Sequence, residues 1–168
     1  GHMAKTRRMI EENLKSIDVV VEILDARIPF SGRNPNFDDI ISSKPRLVVM
    51  NKYDLADSAV TDLWINWYAK RGIRVIPISC ATGKGINKIA PAARELVHEK
   101  LERAAQKGMN INVKIMMVGI PNVGKSTLIN KMTGKANAKT GDRPGVTRTK
   151  QWIRLKDRLE LLDTPGIL

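Results

Sequence analysis

Short apolar runs alternate with amphipathic stretches along most of the chain. Residues 18–25, Asp-Val-Val-Val-Glu-Ile-Leu-Asp, are β-branched and apolar, as a strand buried on both faces requires. Residues 46–50, 74–79 and 113–118 repeat that pattern, although Pro77 weakens the case for 74–79. Helical spacing predicts helices over 3–16, with Ile10, Leu14 and Ile17 inward, and over 60–70, with Leu63, Trp64, Trp67 and Tyr68 inward. Gly72 is placed to stop the second of these. One long amphipathic helix is expected over 86–106, with Ile89, Ala93, Leu96, Val97, Leu101 and Ala104 on one side. A polar connector, 107–112, follows it, and residues 126–132 open a further helix. Residues 134–148 are rich in Gly, Pro and Thr and read as a loop, while 151–155 and 158–162 read as a hairpin or paired edge strands. Strands that alternate with helices predict an α/β fold: three layers, with a six-stranded, mostly parallel sheet covered on both faces. No internal repeat is visible, and 168 residues suit one domain.

Charge adds a partner to this picture. Lys and Arg number 29 against 17 Asp and Glu, a net charge of +12. That surplus suits a polyanion: RNA, DNA or an anionic membrane surface. No lipidation signal, secretory signal or basic amphipathic helix supports the membrane, and no apolar run approaches the ~18 residues of a span. RNA is therefore favoured, with a merely solubilising surface as the alternative. The single cysteine, Cys80, cannot form an internal disulfide, which fits a reducing cytoplasm.

The chemistry sits at strand ends. Gly119-Ile120-Pro121-Asn122-Val123-Gly124-Lys125-Ser126 follows one predicted strand and precedes a helix, the setting that a phosphate-cradling P-loop requires. Its glycines let backbone N–H groups wrap phosphates, and the helix N-terminus adds positive potential. The expected nucleotide ligands here are Asn122, Val123, Gly124, Lys125, Ser126 and Thr127, with Lys125 on the β and γ phosphates and Ser126 on Mg²⁺. Asn51-Lys52-Tyr53-Asp54 follows another strand. A carboxylate such as Asp54 accepts from both guanine N1–H and the 2-amino group, which adenine cannot satisfy. Asn51 would orient that loop and Lys52 would lie along the base. Ser79-Cys80-Ala81 is small enough to bring a backbone N–H to the base oxygen, although a plain strand-end turn reads the same way. Asp163, in Asp163-Thr164-Pro165-Gly166, can hold Mg²⁺ through water, and the Gly166 N–H can sense a γ-phosphate. Thr147 is the expected second hydroxyl on Mg²⁺, with Thr140 and Thr149 as competitors.

Together these are the five nucleotide motifs of the Ras-like GTPases, but in a different order: Asn51-Lys52-Tyr53-Asp54 and Ser79-Cys80-Ala81 precede the P-loop. That is the order of the circularly permuted GTPases. Within that group the chain resembles the YlqF/RbgA family of ribosome-assembly GTPases. The resemblance spans essentially the whole chain, through Gly1-His2-Met3-Ala4-Lys5, Asp25-Ala26-Arg27-Ile28-Pro29, Arg33-Asn34-Pro35, the nucleotide motifs, Lys139 to Thr147 and Leu161 to Leu168. It implies a permuted GTPase domain over 1–168, with GTP and GDP as ligands and Mg²⁺ as cofactor. It further implies a monomer that acts on a precursor of the large (50S) ribosomal subunit, its rRNA and proteins. Family members carry a helical C-terminal domain, which would follow Leu168.

Ras-like enzymes orient the attacking water with a glutamine after Asp-x-x-Gly. Ile167 stands there and cannot do so. The resemblance points instead to His2 as the catalytic histidine, although Gly-His-Met is also the sequence left by tag removal. It also points to K⁺ held by Asn122, which otherwise would only stabilise its loop. Asp25-Ala26-Arg27 either supports the base-binding loop or forms a structural salt link. Lys135, Lys139, Arg143, Arg148, Lys150, Arg154, Lys156 and Arg158, opposed only by Asp142 and Asp157, make a candidate RNA-facing surface or a solvated face. His98 reads as a surface or packing residue, and Trp64 and Trp67 as core. The rival classes are a nucleotide-dependent RNA-binding module without useful hydrolysis and an ATP-dependent kinase. The base-binding motif disfavours the kinase.

Overall fold

The computed structural model describes residues 2–27, 38–53, 57–119, 124–133 and 151–163. In chain order these form α1 (His2–Leu14), β1 (Val19–Asp25), α2 (Asp38–Ile41), β2 (Arg46–Asn51), α3 (Asp57–Ala69) and β3 (Arg74–Ile78). A 3₁₀ turn (Ile86–Lys88) then leads into α4 (Ile89–Leu96), α5 (His98–Gln106), β4 (Val113–Val118) and α6 (Lys125–Thr133). β5 (Gln151–Arg154), a turn at Lys156–Arg158 and β6 (Leu159–Asp163) complete the described chain.

The strands make a six-stranded sheet in the order β3-β2-β1-β4-β6-β5. Among the described residues five strands run parallel, and only the pairing of β5 with β6 is antiparallel. The expected α/β architecture is therefore present. β1, at the centre, is buried at all seven residues, because helices cover both of its faces. Alternation along β1 separates the two faces. Val19, Val21 and Ile23 join Ala92 and Ala93 of α4 and Leu128 and Met132 of α6 in one core. Val20 faces the other way, onto Ile10 and Leu14 of α1, while Leu24 packs with Tyr68 of α3. Pro77 is tolerated because β3 is an edge strand, where a missing ladder donor costs little.

Three expectations change. The single helix over 86–106 is broken at Val97, whose backbone (φ −117°, ψ 28°) leaves the helical region. The bend lets Val97 and Leu101 stay on the core that α4 covers, and it turns Leu96 out to solvent. Leu63 is 70% exposed rather than inward; Trp64, Ile65, Trp67 and Tyr68 take the packing side of α3. The short α2 was not anticipated, since four residues carry no readable period. His98 lies on the surface as expected, paired with Glu102 at 3.1 Å. The loop expected over 134–148 lies outside the described residues.

Glu22 points to the face of β1 that α1 and α3 share. It is paired with Arg46 Nε at 2.9 Å, the two side chains being only 5% and 10% exposed. A charge left alone at that depth is severely destabilising, whereas an apolar replacement of both is tolerated. Arg46→Ala should cost about 3 kcal/mol, a fall in melting temperature of roughly 10 °C by calorimetry. The Glu22→Leu/Arg46→Met pair should recover most of it.

Candidate functional site

In a parallel sheet all the strands end at one edge, and that edge gathers the motifs. Asp25 ends β1, Asn51 ends β2, Ile78 leads to Ser79-Cys80-Ala81, Val118 leads to the P-loop and Asp163 ends β6. The chain leaves β1 toward β2 on one side, and leaves β4 toward β6 on the other. The crevice where connections diverge is where open α/β sheets bind ligands. Gly119 and Gly124, the described glycines of the P-loop, lie there.

Three motifs distant in sequence meet at one point. Asn51 is buried, and its Oδ1 accepts a hydrogen bond from the Cys80 backbone N–H at 3.0 Å. The Lys52 N–H donates to the Ile78 carbonyl at 2.9 Å, so the two loops leave the sheet as a bonded pair. The Cys80 Sγ lies 3.6 Å from the Gly124 carbonyl of the P-loop. Gly124 has φ +91°, and a Cβ there would lie 3.0 Å from both Asn51 Nδ2 and Cys80 Sγ. Only glycine combines that backbone with that approach.

Around this point each loop is held locally. The Ser79 hydroxyl accepts from the Thr82 N–H at 3.2 Å, and the Ser79 N–H donates to the Lys84 carbonyl at 2.9 Å. Gly85 (φ +84°) closes the loop where a Cβ would meet the Pro77 carbonyl at 2.5 Å. α6 begins at Lys125, with its first bond from the Leu128 N–H to the Gly124 carbonyl at 2.8 Å. Ser126 and Thr127 are exposed in its first turn, where the N–H groups and the helix dipole favour an anion. A hydroxyl at Ser126 and a carboxylate at the end of β6 are hard oxygen donors, which suits Mg²⁺. Of the other residues expected at the site, Lys52 is half-buried, Ala81 is exposed and His2 opens α1. Asp54, Asn122, Val123, Thr147 and Gly166 lie outside the described residues.

Two features escaped sequence reading. The Cys80 thiol touches the P-loop, where only a backbone N–H was expected to matter. Burial pushes that thiol up from its ordinary pKa, against a smaller opposing pull from the Lys131 charge. The second is a contact of Arg27, which the sequence placed beside the base-binding loop or in a salt link: its guanidinium lies 4.1 Å from the centre of the Tyr53 ring. Asp25 anchors it through Oδ1 at 3.2 Å and Oδ2 at 3.0 Å, and also accepts the Arg27 N–H at 2.8 Å. Burial alone would raise the Asp25 carboxyl, but the Arg27 donors and charge outweigh it and hold the pKa below the ordinary value. The stabilisation is thus present above the ordinary carboxylate pKa and is lost as pH falls through the lowered one.

The family model described as "50S ribosome-binding GTPase" matches residues 114–168. The protein named Ribosome biogenesis GTPase A in Priestia megaterium is 54% identical over all of this chain, which covers 59% of that protein. Its namesake in Bacillus cereus is also 54% identical, with 100% of this chain and 57% of that protein aligned. The chain is thus homologous over its whole length to proteins named Ribosome biogenesis GTPase A. Mitochondrial ribosome-associated GTPase 1 of Mus musculus is 41% identical, again over the full chain and 54% of its own length. The chain thus spans between half and three fifths of the length of these relatives, and the alignments run through both Asn51-Lys52-Tyr53-Asp54 and Gly119 to Ser126.

Gly124→Ala should weaken GDP binding by roughly tenfold or more, given ~1–3 kcal/mol of backbone strain at this φ; isothermal titration measures it. Maleimide labelling of Cys80 at pH 7 should be roughly tenfold slower, or more, in the folded chain than in urea, because burial shields the thiol and disfavours its thiolate.

Proposed function

We propose that this chain is the nucleotide-switch domain of a GTPase that acts in assembly of the large ribosomal subunit, and that it hydrolyses GTP to GDP and phosphate. The observation that carries the reading is the contact of Asn51, Cys80 and Gly124, which joins the guanine motifs to the phosphate motif. Relatives at 54% identity bear the name Ribosome biogenesis GTPase A, which supports the ribosomal role and a cytoplasmic site of action.

In this reading Asp54 accepts from the guanine N1–H and 2-amino groups, Lys52 covers the base, and the backbone at Ser79, Cys80 and Ala81 meets its oxygen. Asn122, Val123, Gly124, Lys125, Ser126 and Thr127 cradle the phosphates. Ser126, Thr147 and Asp163 hold Mg²⁺, which when bound would neutralise charge on the β and γ phosphates. The Gly166 N–H reports the γ-phosphate. K⁺ at Asn122 would offset charge that develops on the leaving GDP.

With Ile167 where a water-orienting glutamine would stand, His2 takes that role as a neutral imidazole. α1 supports this placement. Only residues 15–18 separate it from β1, so it turns back over the sheet and its first turn heads for the edge where the strands end. Thirteen helical residues span about 20 Å, most of the about 23 Å length of the seven-residue β1.

Arg154, Lys156 and Arg158 are exposed at the β5–β6 hairpin and supply part of a phosphate-contacting RNA surface. The other basic residues expected there, Lys135, Lys139, Arg143, Arg148 and Lys150, lie outside the described residues. Ile167 also favours a second reading, an RNA-binding module that senses nucleotide without useful hydrolysis.

GTP turnover in K⁺ and in Na⁺, with and without large ribosomal subunits, separates the two. A GTPase switch should be slow alone and accelerate with K⁺ and subunits. His2→Ala should lower turnover by roughly a hundredfold while GDP affinity is kept. Tight GTP binding with no acceleration under any condition would establish the binding module instead.

A further inference from the structure

The Asp25–Arg27 pair lies beside the contact point of Asn51, Cys80 and Gly124, with Asp25 in register with Asn51, and Arg27 faces the base-binding loop. We infer that Arg27 is a positioning residue for guanine selection, which fixes Tyr53 so that the next residue, Asp54, is presented to the base. The inference rests on the guanine-nucleotide reading above.

The loop is braced on both flanks. On one side the Ala26 N–H donates to the Asn51 carbonyl at 3.0 Å. One residue on, the Arg27 guanidinium stacks over the Tyr53 ring at 4.1 Å. On the other side the Tyr53 N–H donates to Asp57 Oδ2 at 2.7 Å, at the start of α3. Tyr53 is therefore held at its backbone by α3 and at its ring by β1.

Arg27 cannot swing away freely. Both oxygens of a buried carboxylate hold its fork, and the Asp25 Oδ1 also takes its own backbone N–H. Here Asp25 is buried, whereas the Arg27 side chain is 59% exposed and laid on an aromatic ring that is itself exposed. The planar guanidinium suits both contacts at once, which a lysine ammonium does not.

A carboxylate discriminates by geometry, because two parallel N–H···O bonds tolerate little displacement. Loosening Tyr53 should therefore harm the bonds to the base more than those to the phosphates. GDP and inosine diphosphate differ only in the 2-amino donor, so the ratio of their affinities reads the placement of the carboxylate.

The test is competition titration of fluorescent N-methylanthraniloyl-GDP from the 168-residue chain by GDP, inosine diphosphate and ADP. The wild type should prefer GDP to inosine diphosphate by about tenfold or more, and should ignore ADP. Arg27→Ala and Tyr53→Ala should each weaken GDP binding by about threefold to thirtyfold. Both should weaken inosine diphosphate less, so that the ratio narrows. Tyr53→Phe should keep it, Arg27→Lys should recover it only in part, and Arg27→Ala/Tyr53→Ala should be no worse than either single change. Arg27→Ala leaves the buried Asp25 carboxylate unpaired and should lower the melting temperature, so titrations are run well below each variant's midpoint, and Tyr53→Ala, which keeps the Asp25–Arg27 pair, gives the ratio free of that loss. Equal losses for both nucleotides, or an unaltered ratio, would overturn the role of Arg27 while leaving the site intact. A wild type that fails to prefer GDP over ADP would overturn the guanine reading, and this inference with it.

Discussion

Asn51 is a polar side chain sealed inside the protein at the end of β2, and a buried amide must be satisfied. The Cys80 N–H meets its Oδ1, and the bare Cα of Gly124 lets Nδ2 and the P-loop come together. This joint ties the loop after β2 to the loop after β3, and both to the start of α6. The closeness of the proposed base and phosphate sites follows from it. A bulkier residue at Gly124 or an unpaired Asn51 would separate halves that need a common geometry.

The parallel sheet makes such a joint available regardless of the order in which the chain visits its strands. Ligand loops belong to the carboxyl ends, and β1, β2, β3, β4 and β6 all point one way. Permuting the chain changes only which connections are made. Here α4 and α5 carry the chain from β3, at one edge, back to β4 beside β1. The bend at Val97 keeps that long connection on the sheet, where Ile89, Ala93, Val97 and Leu101 pack on one core.

The edge holds two kinds of electrostatics. At the crevice, N–H groups, Lys125 and the first turn of α6 create positive potential for phosphate. Beside it, Asp25 is spent on Arg27, so the carboxylate at the end of the central strand presents no free charge to a polyanion. Glu22 is likewise neutralised by Arg46 on the buried face. The remaining surplus of basic residues is left to the surface, in keeping with an RNA partner.

Much of this was legible in residues alone. Apolar runs of five to eight residues marked the strands, and Gly-x-x-x-x-Gly-Lys-Ser after a strand announced a phosphate site. The pairing of that motif with Asn-Lys-x-Asp announced guanine, because spacing constrains backbone chemistry locally. Local pattern could not tell Leu63 and Leu96 from their buried neighbours, since a kink or a few degrees of helix rotation decides which side faces the sheet. Nor could it join Arg27 to Tyr53, or Cys80 to Gly124, residues brought together only by strand order. The sequence by itself determined the elements and the chemistry each loop carries, because propensity and motif geometry act over a few residues. The tertiary structure alone decided which loops touch, because contact between distant segments depends on strand register and the packing of two helical layers.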